Sequence, residues 1–89
     1  YWRERMTTAR QQLERTQMFA LALESRVNGL WADFTARDDP AQRGVVEQDR
    51  QKAIAELERV KKEVETQTKA LAAIEDEARR LGVPPGWLR

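Results

Sequence analysis

Apolar side chains recur along this chain at alternating steps of three and four residues, in two separate runs. This is the 3.5-residue period of a coiled coil, in which one stripe of each helix packs against a neighbouring helix. The first run comprises Trp2, Met6, Ala9, Leu13, Thr16, Ala20, Leu23, Val27, Leu30 and Phe34. The second comprises Val46, Arg50, Ala53, Leu57, Val60, Val64, Gln67, Leu71, Ile74, Ala78 and Leu81. The pattern therefore predicts two long helices, each with one interacting stripe.

A turn signal separates the two runs. Pro40 is tolerated in the first turn of a helix, Asp39 suits the N-cap position before it, and Gln42 follows as a capping-box partner. Gly82 and the following prolines are typical of a helix end. The sequence predicts one domain over residues 1–89, with a helix at 2–36, a turn at 37–39, a helix at 40–81 and an apolar tail at 82–89.

The register of the two helices follows from the spacing of their stripes. If Phe34 meets Val46, the numbers of every later facing pair add up to 80, so that Leu23 meets Leu57. The flanking positions then form the attractive pairs Arg3 with Glu75, Arg5 with Glu77 and Arg26 with Glu56, and one repulsive pair, Asp33 with Asp49. The predicted fold is all-α, a two-helix antiparallel coiled-coil hairpin, which can dimerise into a four-helix bundle.

Three polar residues interrupt the stripes. Thr16 and Gln67 fall in adjacent layers near the middle of the hairpin. We interpret them as residues that fix the register of the two helices or as a tolerated weak point in the seam; the alternative is a functional hinge. Arg50 lies near the turn, within reach of Asp33, Asp38 or Asp39. We interpret Arg50 as a clamp on the turn rather than as a ligand-binding residue.

Several apolar residues lie outside both stripes, most of them in the belt from Met18 to Leu23. The candidate interaction surface comprises Met18, Phe19, Leu21, Ala22, Trp31 and Ile54. Exposed apolar groups of this kind often mark a partner surface. Three alternatives remain open: these residues broaden the hairpin seam, which suits Phe19 and Ile54; a second copy covers them; or a different protein, or another part of the same protein, covers them.

Tyr1, Trp2 and Trp87 form a candidate aromatic cluster at the open end of the hairpin, opposite the turn. One interpretation is a hydrophobic plug in which Trp87 folds back over the helix ends. The alternatives are a docking patch for a neighbouring domain and a short extended ligand segment.

Composition and charge narrow the function classes. The net charge is +1 with interleaved signs, which disfavours nucleic acid as a partner, although a hairpin arm using Arg37, Arg43 and Arg50 is conceivable. The chain has no cysteine and no histidine, and no apolar run approaches the roughly 20 residues of a membrane span. We therefore predict no enzyme activity, no cofactor, no metal site and no membrane span. Because the chain starts at Tyr1, we expect a fragment or a processed form.

Four segments resemble parts of bacterial coiled-coil proteins that look exported and carry the hairpin at their C-terminal end. These segments are YWR at 1–3, DDPAQR at 38–43, EQDRQKA at 47–53 and GVPPGWLR at 82–89. The resemblance implies a bacterial, periplasmic setting and brings no activity, ligand or catalytic residue. The predicted function is a non-catalytic structural and protein-interaction module that forms a homodimer. The alternative is an adaptor that binds a different protein through the Met18–Leu23 belt or the Tyr1, Trp2 and Trp87 end.

Overall fold

The computed structural model describes residues 1–89 and consists of two long helices and one short one. Helix α1 spans Trp2–Ala36, helix α2 spans Pro40–Arg80, and a 3₁₀ helix spans Pro85–Leu88. The two long helices pack side by side as a hairpin that measures 64 × 16 × 14 Å. The prediction of an all-α antiparallel hairpin is confirmed, because there is no strand and α1 packs along α2.

The turn between the helices is organised by two hydrogen bonds. An Oδ1 atom of Asp39 accepts from the Ala41 amide at 3.0 Å, which caps the start of α2 as predicted. The expected capping box is wrong, because Gln42 does not reach back to Asp39. Its Oε1 instead accepts from Nη1 of Arg37 at 3.1 Å, so Gln42 ties the turn to the start of α2.

Helix α2 ends in a Schellman motif at Gly82. The amide of Val83 donates to the Ala78 carbonyl at 2.9 Å, and the amide of Gly82 donates to the Arg79 carbonyl at 3.1 Å. This geometry requires the left-handed φ of +74° at Gly82, which glycine adopts without steric cost. Leu81 is the C-cap and is 67% exposed, so its predicted place in the seam is wrong. Because α1 begins at Trp2, no α1 residue lies opposite Leu81.

The seam between the helices contains the whole apolar core. Its buried members are Met6, Leu23, Val46, Ala53, Leu57, Val60, Ile74 and Ala78. Leu23 packs with Leu57 and Val60 in one cluster, so the pairing of Leu23 with Leu57 is confirmed. Every other stripe residue except Leu81 is at least partly buried. The 3.5-residue period thus identified the packed face of both helices.

The charged flanks of the seam follow the predicted pairs only in part. Arg5 forms an ion pair with Glu77 at 2.7 Å, and the neighbouring carboxylate raises the pKa of the Arg5 guanidinium. A pair that was not predicted, between Lys61 and Glu24, also joins the helices at 3.8 Å. The other two predicted pairs are absent, and Glu56 contacts Arg59 of its own helix. Exposed pairs contribute only about 0.2–1 kcal/mol each, so these differences leave the register unchanged.

The middle of the seam is less well packed than its two ends. The buried residues fall into one group near the open end and another towards the turn, and the layers between them are only half-buried. The hydroxyl of Thr16 donates to the Gln12 carbonyl of its own helix at 2.9 Å, and Oε1 of Gln67 is buried without a hydrogen-bond partner. An unpaired buried acceptor destabilises the fold, so this polar waist separates two apolar segments.

Replacing the polar residue of the waist should stabilise the hairpin. We expect Gln67→Leu to raise the free energy of unfolding by about 1 kcal/mol, because it removes an unpaired acceptor and adds apolar packing. Urea unfolding followed by far-ultraviolet circular dichroism at a fixed protein concentration measures this change. The matched control is Gln48→Leu, which places the same side chain on an exposed site of α2. An equal change in the free energy of unfolding for both variants would show that the unpaired Gln67 does not destabilise the seam.

Candidate functional site

The side of α1 that faces away from α2 carries no charge between Met18 and Ala36. We call this surface the α1 outer face. It comprises the exposed residues Met18, Leu21, Ala22, Ser25, Asn28, Gly29, Ala32, Thr35 and Ala36. At 1.5 Å per residue it is about 27 Å long. Its two largest side chains, Met18 and Leu21, are 62% and 58% exposed. The face is therefore uncharged and partly apolar, although nothing in the chain covers it.

The corresponding outward side of α2 is strongly charged. Its exposed charged residues are Lys52, Glu58, Arg59, Lys62, Glu65, Lys69, Asp76, Arg79 and Arg80. Several of them pair along the helix, for example Lys69 with Glu65 at 3.3 Å and Arg79 with Asp76 at 3.1 Å. Such pairs suit a helix face that remains in water. The two helices therefore differ in their outer surfaces although they share one seam.

The six residues of the predicted interaction surface do not form one patch. Met18, Leu21 and Ala22 belong to the α1 outer face. Phe19 and Trp31 occupy the two flanks of the seam on opposite sides of α1, and both are exposed. Ile54 lies on α2 and is half-buried. The side chains that the structure brings together are therefore those of the outer face, and Ile54 is separate from them.

Leu21 also lines a shallow apolar groove between the helices. The groove has a volume of about 360 Å³ and lies beside the half-buried Val64, with the Glu24–Lys61 ion pair at its edge. This places Leu21 between the outer face and the seam. The belt from Met18 to Leu23 thus continues around α1 from the seam to the solvent side.

Near the turn, two aromatic rings and two arginines form a stack that the sequence analysis did not predict. Trp31 and Phe34 stack with ring centroids 5.7 Å apart and planes inclined by 18°. The guanidinium of Arg43 lies 4.5 Å from the Phe34 centroid, and that of Arg50 lies 5.1 Å from the Trp31 centroid. Cations over aromatic faces stabilise such an arrangement. The stack joins α1 to α2 next to the turn.

The predicted role of Arg50 as a clamp on the turn is wrong. Arg50 donates to Glu47 of its own helix at 3.2 Å and covers Trp31, and it makes no contact with an aspartate. Arg37 has the clamping role instead, because its Nε donates to Asp33 at 3.0 Å. This hydrogen bond raises the pKa of the Arg37 guanidinium.

The aromatic cluster at the open end forms a cleft. Tyr1 and Trp2 meet edge to face with ring centroids 5.3 Å apart, and they line a cleft of about 320 Å³ with Arg3 and Trp87. The 3₁₀ helix that carries Trp87 packs against α1. Trp87 therefore does fold back towards the helix ends. Its side chain remains 58% exposed, so it borders the cleft and does not plug it.

The acidic side chains lie along the helix surfaces. No group of three or more histidine, cysteine, aspartate or glutamate side chains is gathered in a way that could hold a metal ion. Neither long helix contains a stretch apolar enough to cross a bilayer. The candidate sites considered below are the α1 outer face and the open-end cleft.

The stack near the turn predicts a difference between two phenylalanines. Phe34→Leu should lower the free energy of unfolding by about 1–1.5 kcal/mol, because leucine keeps apolar bulk but removes the stacking and the cation–π contact. Phe19→Leu is the matched control and should change it by less than about 0.5 kcal/mol, because no ring or guanidinium stacks on Phe19. Chemical denaturation compares the two. A loss of unfolding free energy in Phe19→Leu as large as in Phe34→Leu would contradict this interpretation.

Comparison with known proteins adds no functional assignment to this geometry. The chain matches no protein-family model, no curated protein sequence and no solved structure. The function must therefore be argued from the surfaces of the hairpin.

Proposed function

We propose that the protein is a non-catalytic structural module whose hairpins associate in pairs to form a four-helix assembly. The solvent-accessible area of the chain supports this proposal. It amounts to 6556 Å² for 10.4 kDa, whereas a compact monomer of this mass exposes about 5,400 Å². The excess is larger than the roughly 800 Å² that each partner contributes to a standard interface. A second copy can cover such an area.

The distribution of charge indicates which side of the hairpin would be covered. Charged residues are depleted from the centres of protein interfaces, because removing them from water is costly. The α1 outer face is uncharged, whereas the outward side of α2 is highly charged. Burial of the α1 outer face by another copy would leave the charges of α2 in solvent. This difference is the observation that carries the proposal.

The chemistry of the surface supports a non-catalytic role. General acid–base catalysis needs a titrating group held in a shielded site close to the substrate. The carboxylates of this hairpin lie on its surface, and the chain has no histidine or cysteine. Arg37 and Arg43 are engaged with Asp33 and Phe34, which disfavours a nucleic-acid-binding arm. The resemblance of the sequence segments extends the proposal to an exported bacterial protein.

A second candidate function is an adaptor that binds a different protein at its open end. The observation in its favour is the cleft between Tyr1, Trp2 and Trp87. Exposed tyrosine and tryptophan side chains are frequent in the energetically important parts of interfaces. The Met18–Leu23 belt is the other surface that an adaptor could use.

Sedimentation equilibrium at several protein concentrations tests self-association. We expect the wild type to sediment as a dimer and Met18→Glu with Leu21→Glu to sediment as a monomer, because the new carboxylates would have to be buried. The matched control is Gln48→Glu with Ala55→Glu, which adds the same charges to the outward side of α2. This control should remain dimeric.

The possible outcomes separate the two candidate functions. A wild type that is monomeric at every concentration would overturn the proposed function and leave the adaptor. Loss of the dimer in the control variant but not in the Met18 and Leu21 variant would move the interface to α2. Circular dichroism of each variant establishes that the helices are intact.

A further inference from the structure

Small residues run along the centre of the α1 outer face. The members of this stripe are Met18, Ala22, Ser25, Gly29, Ala32 and Ala36, separated by steps of four, three, four, three and four residues. The steps have the same period as the hairpin seam, so the stripe runs parallel to the seam on the other side of α1. Apart from Met18, its side chains are small enough to let another helix backbone approach closely.

Gly29 has no explanation within the hairpin. It lies in the interior of α1, its φ is negative, and a Cβ added there would meet nothing within 4 Å. Glycine at an exposed helix position costs about 1 kcal/mol relative to alanine, so the chain carries a cost that its own packing does not require. A glycine is useful where a second backbone comes close. The approaching group must come from outside this hairpin.

We propose that two copies pair through this stripe, with the α1 helices antiparallel and their two-fold axis near Val27. This inference rests on the proposed function and specifies its interface. The spacing of the stripe is symmetric about that point. Met18 then faces the partner's Ala36, Ala22 faces the partner's Ala32, and Ser25 faces the partner's Gly29. Each layer combines a large residue with a small one or two small ones, as close packing at a constant helix distance requires.

The charges at the two ends of the stripe complement each other in the antiparallel arrangement. Arg15 continues the stripe at one end, and Asp38 and Asp39 lie beyond its other end. Neither Arg15 nor Asp38 has an ion pair within the chain. The two-fold axis brings Arg15 to the level of the partner's Asp39, next to the partner's unpaired Asp38, and this contact occurs twice. A parallel arrangement would instead place the two Arg15 side chains together, which is repulsive.

A second copy therefore fits this face better than an unrelated protein does. The face is complementary to itself in the size of its side chains and in the sign of its end charges. With the end charges included, the contact extends over residues 15–39, of which residues 15–36 form about 32 Å of helix. The assembly places the α1 helices at its centre and the charged α2 helices outside.

Disulfide cross-linking tests the geometry, because the chain has no cysteine of its own. We expect Ala22→Cys combined with Ala32→Cys to form a covalent dimer under oxidising conditions, and neither single variant to do so. The two sites lie about 15 Å apart along α1, too far for a bond within one chain or between identical sites of antiparallel partners. The matched control, Lys52→Cys with Lys62→Cys, has the same spacing on the outward side of α2 and should remain uncross-linked.

The outcomes distinguish failure of the geometry from failure of the proposed function. Covalent dimers of either single variant would indicate parallel pairing and overturn the inference while self-association stands. A wild type that sediments as a dimer with no specific cross-link at Ala22 and Ala32 would place the interface elsewhere. A monomeric wild type would overturn both proposals.

Charge reversal tests the end contacts independently. Arg15→Glu and Asp38→Arg should each weaken the dimer, because each places like charges opposite each other. The combined variant should restore the wild-type dissociation constant, since the pair is then reversed but still attractive. Sedimentation at low and high salt measures the effect, which should shrink as salt screens the charges. Weakening by both single variants without restoration in the double variant would contradict the antiparallel register.

Discussion

Two long helices can pack along their whole length only if the combined size of the facing side chains stays nearly constant. This hairpin meets that constraint by placing small residues opposite large ones: in its register the buried Ala53 and Ala78 fall level with Val27 and Trp2. No other interior exists, because each helix is covered on one side only. The turn, the N-cap and the Schellman motif all have the same function. They bring the two stripes into this single register and end each helix where the facing stripe of the other helix ends.

Once the seam has used one side of each helix, the remaining surface decides what the molecule can contact. On α2 the exposed charges pair with each other along the helix, as Arg59 does with Glu56 and Glu63. Such a surface is well solvated and gains little from being covered. On α1 the far side is uncharged from Met18 to Ala36 and contains a glycine that the hairpin itself does not need. The difference arises from the sequence and not from the fold, because the two helices have the same geometry.

The sequence predicted the hairpin well because its signals are repetitive and local. A stripe that recurs over many turns leaves one packed face for each helix, and proline, aspartate and glycine mark the helix ends by their backbone preferences. The roles of individual arginines were harder to predict. Each forms a different contact, Arg37 with Asp33, Arg43 with the Phe34 ring and Arg50 with Glu47 and the Trp31 ring, and spacing along the chain does not distinguish these choices. The sequence also predicted a single interaction surface, whereas in the structure Phe19 and Trp31 lie on opposite sides of α1.

The polar waist at Thr16 and Gln67 has a consequence for how the molecule moves. Cooperative unfolding depends on uninterrupted packing, and an interruption lets one part open while the other stays closed. In the apolar segment towards the turn, the residues that contact each other lie close together in the chain, and the aromatic stack stabilises them. The segment at the open end joins residues far apart in the chain. Thermal fraying should therefore begin at the termini and pause at the waist, so that amide protons near Leu57 exchange with solvent more slowly than those near Leu71.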